Sequence, residues 1–341
     1  MNFRSDNLIK VKNMQRKAFV TGGTGFIGIN LIEMLVNKKW NVTALYRPTS
    51  DLQYLSKVPV SLKEGTVINK ESLQQALPEH TDTVFHLASD TNLWSRNNEM
   101  QTRTNVAGTR NLLEVSSAKN VKTFIYTSTA ATWGEMNNKC ITEELPQKGM
   151  DSWVNYERTK WAAEQEVLNF SGNDMKVVIL NPTTVTGPYD LNNWGRILIA
   201  LNHKKLPGVP KGMLSINHVH EVVNAHIAAV DTGKDANRYL LSGKDCTFSR
   251  FISEIAHASG IKKLPKTIPD FSLKVLAHIK SSTAYITGVE PDITPELVKI
   301  MTRKNLAYSC KKAVTELDYK ITPIEKSVRD CYNWLDREGY L

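Results

Sequence analysis

An α/β fold, a doubly wound parallel sheet with a smaller C-terminal substrate lobe, is what this 341-residue sequence predicts. Three observations predict it. Short, β-branched, nearly continuous apolar runs alternate with amphipathic stretches from residue 17 onward. Such strands, separated by helices, are buried on both faces, as those of parallel sheets are. The first run enters a glycine-rich turn and then a helix. Beyond Thr186, the segments GPYD, LPGVPKG and KLPKTIPD concentrate proline and glycine between shorter helical patches, as in a loop-rich lobe.

In order, Lys17–Thr21 (KAFVT) reads as a strand and Phe26–Asn37 as a helix. Trp40–Arg47, Val60–Glu64 and Thr83–Ala88 are the second to fourth strands. A helix over Asn105–Lys119 precedes a fifth strand, Lys122–Ser128, and a helix over Tyr156–Asn169 precedes a sixth, Lys176–Asn181. Right-handed crossovers leave few topologies for this order beyond the doubly wound one. The expected division is an N-terminal extension over 1–16, a dinucleotide-binding domain over 17–185, and a region over 186–341. That last region is mainly substrate lobe, with some elements returning to the first domain.

Composition excludes fibrous and disordered classes: 41% of residues are apolar, 23% are charged, and 18 glycines and 13 prolines are present. The net charge of +9 is concentrated locally, at Arg4, Lys10, Lys12, Arg16 and Lys17 and again at Lys299, Arg303, Lys304, Lys311 and Lys312. Without a zinc-finger or RNA-binding signature, these read as a solvated tail and a solvated helix face, so neither nucleic acid nor membrane is an expected partner. The four cysteines are far apart in sequence and form no CxxC pair. Free thiols in a reducing cytoplasm are expected, with no metal. No signal-peptide or membrane-spanning run is present.

The turn Thr21-Gly-Gly-Thr-Gly-Phe-Ile-Gly28 places glycines at 22, 25 and 28 between a strand and a helix. Gly22 suits the tight turn, Gly25 lets backbone approach a pyrophosphate, and Gly28 lets helix and strand pack closely. With Thr24, Phe26 and Ile27 they make a candidate phosphate cradle at a helix N-terminus. An NAD site usually carries an acid at the end of the second strand, on the ribose hydroxyls. Arg47 stands there instead, so NADP is the expected cofactor, with NAD the lesser fit. Tyr156 and Lys160 fall on one helix face, where a lysine ammonium could stabilise a phenolate. The hydroxyls of Thr127, Ser128 and Thr129 end the fifth strand.

These segments resemble the extended short-chain dehydrogenases/reductases, the NAD-dependent epimerase/dehydratase superfamily, and within it the dihydroflavonol-4-reductase-like proteins. TGGTGFIG, HLAS at 86–89, TNVAGTRNLLE at 104–114, YTSTAATWG at 126–134, YERTK at 156–160 and NPTTVTGP at 181–188 occur in the family order and cover the first two-thirds of the chain. The resemblance implies a Rossmann fold, with Tyr156 as general acid during hydride transfer. It implies that Lys160 holds the nicotinamide ribose and lowers the tyrosine pKa, and that Thr129, with Ser128 beside it, binds the substrate oxygen. It also implies that Ala88 passes the adenosine ribose, that Asn105 steadies the active site, and that Pro182 opens the segment touching the carboxamide. A homodimer through the helices around Asn105–Lys119 and Tyr156–Asn169 is implied in the same way.

Two departures stand out. Relatives often carry Asp-Leu against the adenine where this chain has Thr66-Val67, and the arginine that clamps a sugar-nucleotide diphosphate is missing from Leu214–Val219. The tryptophans Trp94, Trp133, Trp153 and Trp194 fall on connections expected to frame the reacting carbonyl, and Trp94, Trp133 and Trp194 are the candidate substrate contacts. His86, His218, His220, Glu143 and Glu144 read as packed or solvated residues. The expected function is NADP-dependent reduction of a planar or hydrophobic aldehyde or ketone. The alternatives are a nucleotide-sugar epimerase/dehydratase with bound NAD, and a non-catalytic NADP sensor.

Overall fold

The computed structural model describes residues 15–136, 140–172, 174–304 and 306–341. Most of the basic N-terminal extension, residues 1–14, lies outside the described residues.

Strands β1 (Lys17–Thr21), β2 (Asn41–Tyr46), β3 (Ser61–Glu64), β4 (Thr83–His86), β5 (Thr123–Thr127) and β6 (Lys176–Pro182) are the six expected ones. Short strands β7 (Thr184–Thr186), β8 (Met213–His218), β9 (Asn237–Leu241) and β10 (Lys244–Thr247) follow. The large sheet runs β3-β2-β1-β4-β5-β6-β9, every pair parallel. β9 was not apparent in the sequence; it comes from beyond residue 186 to close the sheet edge.

Successive residues of β1 point to opposite faces. Ala18 and Val20 join one core layer with Ile32 and Leu35 of the helix Phe26–Asn37 and Val222 of Val219–Asp231. Phe19 joins the other, with Leu73, Leu112, Leu113 and Val167 from the helices on that side. A second sheet, β10-β8-β7, underlies a smaller core built from Leu198, Phe248, Ile255, Val328 and Trp334.

Strand order reverses direction between β1 and β4, and ligands of open α/β sheets sit outside the carboxyl ends of the strands at such a point. The helix expected from Asn105 begins earlier, at Asn98, and carries a π-turn over Arg103–Ala107 before continuing to Ala118. β4 stops at His86, two residues short of the expected end, leaving Ala88 in the loop above the sheet. The described cysteines are free. Among the described residues no cluster suits a metal ion, and no helix is long and apolar enough to cross a membrane.

Candidate active site

A cleft of about 1460 Å³ runs from the glycine turn, over the ends of β1, β4, β5 and β6, into the smaller lobe. At its first end Gly22 has φ +73°, and a Cβ there would lie 2.6 Å from Ala88 N. No side chain fits, so turn and β4 loop close on each other. A Cβ on Gly28 would lie 2.1 Å from Gly22 O, which holds the helix start against the turn. Gly25 differs: its Cβ would meet only Gly22 O, at 3.2 Å, and the space above it is open. Thr24, Phe26 and Ile27 line the same end. A cradle open at Gly25, facing the N-terminus of Phe26–Asn37, fits the pyrophosphate of a dinucleotide.

Arg47 is exposed just past the end of β2, on the cleft wall, and its backbone N–H donates to Ser50 Oγ at 3.0 Å. Among the described residues no carboxylate pairs with its guanidinium. Thr66 and Val67 line the wall beyond it.

Beneath the turn a buried relay sets the β4 loop. Thr109 Oγ1 donates to Asn105 O at 2.6 Å, so His86 Nε2 donates to Thr109 Oγ1 and His86 Nδ1 accepts from Thr21 Oγ1. Burial pushes His86 down to about 3, which keeps the ring neutral. This is the packed histidine expected from sequence. Asn105 is buried and binds Ser89, both backbone polar groups of Asp90, and Thr159.

Tyr156 and Thr129 meet over the cleft floor. Burial raises the phenol to about 12, and the hydrogen bond with the Thr129 hydroxyl pulls in the opposite direction. Lys160, one turn away, is itself desolvated. Burial lowers its ammonium to about 7 although Glu164 opposes the shift. Lys160 Nζ donates to Thr127 O at 2.8 Å and lies 4.3 Å from the Tyr126 ring centroid. Thr127 Oγ1 in turn donates to His226 Nε2 at 2.7 Å, since His226 Nδ1 gives its proton to Val222 O.

Ser128 also lines the cleft, but its hydroxyl donates to Glu164 Oε1. Glu164 is wholly buried and takes further hydrogen bonds from Asn181, Gln147 and Arg238 at 2.6–2.7 Å. Thr129 is therefore the hydroxyl facing Tyr156, and Ser128 belongs to the carboxylate network behind it. Pro182 lines the cleft at the end of β6.

The tryptophans divide. Trp194 lines the cleft and packs on Phe248, with centroids 5.7 Å apart. Trp133 does not reach it: the ring is fully buried and its Nε1 donates to Leu145 O, so the expected substrate contact is a core residue. Trp94 is also corrected. It is buried beside Tyr285 and under Arg96, outside the cleft lining, where it clasps the β4 loop to the C-terminal lobe. Trp153 lies on the surface beneath Lys299.

Sequence reasoning missed the far end of the cleft, where Phe248, Leu273, Leu276, Ile293, Leu297 and Met301 make an apolar wall. Their spacing carries only the ordinary signal of helix packing. It also missed Arg196 and Lys205, which line the rim. Glu157, next to Tyr156, pairs with buried Arg303 and ties the start of the helix Asn155–Leu168 to the C-terminal lobe.

Residues 18–242, more than half of the chain, match the NAD dependent epimerase/dehydratase family. The chain is 28% identical over 330 residues, 95% of each protein, to a Synechocystis sp. protein provisionally named a dihydroflavonol 4-reductase. It is 27% identical to the Mus musculus sterol-4-alpha-carboxylate 3-dehydrogenase, decarboxylating, over 89% of this chain and 86% of that one. Among solved structures, gox2253 is similar with a TM-score of 0.82 and 27% identity, covering 96% of this chain and 100% of the other. The Thermotoga maritima UDP-glucose 4-epimerase shares the fold, with a TM-score of 0.77 at 20% identity over 94% of this chain and 99% of that one.

Proposed function

The chain belongs to the NAD dependent epimerase/dehydratase family, and we propose that it is an NADP(H)-dependent oxidoreductase interconverting an apolar carbonyl compound and its alcohol. One observation carries this reading: Tyr156 and Thr129 stand where the glycine-turn end of the cleft meets an apolar wall. A nicotinamide cofactor held at Gly22, Gly25 and Gly28 supplies the hydride when bound. The chain's own residues do the rest. Thr129 Oγ1 and Tyr156 Oη hydrogen-bond the carbonyl oxygen, and Tyr156 gives its proton to that oxygen as charge builds there. Burial, which raises the phenol to about 12, keeps it protonated at neutral pH, so it holds the proton to be given. Lys160 is anchored on Thr127 O and would hold the nicotinamide ribose. Ala88 and Pro182 line the cleft and would meet the cofactor, Asn105 would hold the β4 loop behind it, and Arg47 would pair with a ribose 2′-phosphate.

Affinity for substrate comes from the apolar wall and Trp194, as in most small-molecule sites. The name of the mouse relative, a sterol-carboxylate dehydrogenase, supports a bulky apolar substrate. Arg196 and Lys205 on the rim favour a second reading, a nucleotide-sugar epimerase or dehydratase, because they could meet a diphosphate. A turnover screen decides: aromatic, isoprenoid and steroidal carbonyls against UDP-sugars, each with NADPH and NADH. The expected result is NADPH-dependent reduction of the apolar carbonyls. Epimerisation or dehydration of a UDP-sugar, without turnover of those carbonyls, would replace the first reading with the second.

A further inference from the structure

The helix Asp270–Thr287 presents two apolar faces, and only one is covered. Leu273, Ala277 and Ala284 are buried, and Leu273 and Leu276 form part of the cleft wall. On the other side Phe271, Val275, Ile279 and Ile286 are 77%, 41%, 57% and 88% exposed. At 100° per residue these four fall within one arc of about 80°, spread over about 22 Å at 1.5 Å rise per residue, with exposed Ser282 between Ile279 and Ile286. Val289, just past the Gly288 cap, is exposed as well. Scattered single apolar residues are ordinary on a surface, but a stripe of this length marks an interaction site.

We propose that this stripe seats the protein on an anionic lipid surface, with the helix lying in the plane of the bilayer interface. The charges around it select that occupant. Lys262, Lys263, Lys266 and Lys274 are exposed, and none pairs with a carboxylate among the described residues. Of the acids nearby, Asp270 pairs with Lys304, Asp292 pairs with Lys280, and Glu290 accepts from Asn92 Nδ2. An amphipathic helix with Phe and Ile on one side and lysines beside them is the pattern of interfacial docking, strengthened by anionic headgroups. A second copy seated on the same stripe is the competing occupant, and the test below separates it from a lipid surface. The docking leaves the apolar wall of the cleft, Leu273 and Leu276, on the other side of the same helix. This proposal stands whether or not the reaction is the one proposed above. It assigns a membrane surface to a chain whose sequence led us to expect none.

Co-sedimentation tests it, using the full chain with vesicles of phosphatidylcholine alone and of phosphatidylcholine containing phosphatidylglycerol. Wild type should pellet with the anionic vesicles, remain in solution with the neutral ones, and be released by high salt. A triple variant Phe271→Ser, Ile279→Ser, Ile286→Ser should lose binding at least about tenfold, as should the charge variant Lys262→Glu, Lys263→Glu, Lys266→Glu, Lys274→Glu, since each lysine near such a surface changes partitioning about fivefold. All these residues are outside the cleft lining, so both variants should keep their thermal unfolding temperature and their cofactor affinity. Wild type staying in the supernatant with anionic vesicles would overturn the proposal. So would equal pelleting of wild type and both variants, or a lipid-free dimer in sedimentation velocity that the triple serine variant dissolves.

Discussion

Asn105 Nδ2 donates to Thr159 Oγ1 at 3.1 Å, so the π-turn of one helix is tied to the residue just before Lys160 on another. The same side chain also donates to Asp90 O and accepts from Asp90 N and Ser89 Oγ. One amide thus fixes the loop after β4 and the helix that carries Tyr156 and Lys160 in a single geometry, and a π-turn at such a place fits the association of these turns with functional sites. Asn105→Ala should cost about 1–3 kcal/mol, the usual result of leaving buried polar groups unpaired. It should also lower kcat more than its effect on cofactor affinity would explain. Thermal unfolding and steady-state kinetics on the same preparation check both parts.

Tyr156→Phe removes one hydroxyl and almost no volume. Turnover should fall by about 10²–10⁴-fold, the usual contribution of a positioned acid, with cofactor affinity close to wild type. A variant that keeps near-normal reduction would take Tyr156 out of the proton path.

Arg47 is the residue through which cofactor choice should be reversed. A charge-assisted hydrogen bond to phosphate contributes about 1.5–3 kcal/mol, roughly tenfold to a hundredfold in affinity. Arg47→Asp should lose NADPH affinity by that factor and gain affinity for NADH, as read by direct titration. Equal binding of NADH and NADPH by wild type would exclude the NADP preference.

Lys160 makes a pH-dependent contribution whose sign is fixed by its burial. The side chain titrates at about 7 in the folded chain against 10.5 for an unburied lysine. Between those values the unfolded chain holds a proton that the folded chain has released, so stability rises with pH across that window. The contribution is complete above 10.5 and lost as pH falls through about 7. Lys160→Met carries no proton at any pH. The difference in unfolding temperature, wild type minus Lys160→Met, should therefore move in favour of wild type from pH 7 to pH 10. A flat difference would mean that Lys160 is not desolvated.

The fold, the glycine turn and the Tyr156–Lys160 pair were legible because local rules write them into short segments. The turn at 21–28 needs glycine where no Cβ fits, and the Tyr156–Lys160 pair needs a one-turn spacing. The remainder depends on distant chain. β9 is five residues whose strand identity depends on β6 beside it. Glu164 reads as an ordinary surface position on an amphipathic helix until Asn181, Gln147 and Arg238, from three other segments, enclose it. Spacing along a helix puts Lys160 one turn from Tyr156, but it does not reveal that burial raises the Tyr156 phenol and lowers the Lys160 ammonium. Trp133 illustrates the same limit, since position in a loop does not reveal that the loop is packed.

The tryptophans give the sharpest separation between substrate recognition and stability. Trp133 is fully buried among Ala130, Ile141 and Leu240, so Trp133→Ala should destabilise by about 3–5 kcal/mol, the range for large aromatic truncations. Its effect should appear in the unfolding temperature, and whatever protein remains folded should keep the wild-type ranking of substrates. Trp194 is half-buried at the start of the helix Gly195–Asn202, where Asp190 accepts hydrogen bonds from the Gly195 and Asn193 backbone N–H groups and fixes the turn that carries it. Truncating it leaves that turn in place and removes one side of the apolar end of the cleft. Trp194→Ala should therefore unfold near the wild-type temperature, yet lose about tenfold in kcat/KM for a bulky apolar carbonyl, in line with about 1.5–3 kcal/mol for a buried apolar side chain. For a small aldehyde that never reaches the indole, kcat/KM should barely change. If both carbonyls respond equally, or neither does, Trp194 does not contact substrate and the apolar end of the cleft does not select it.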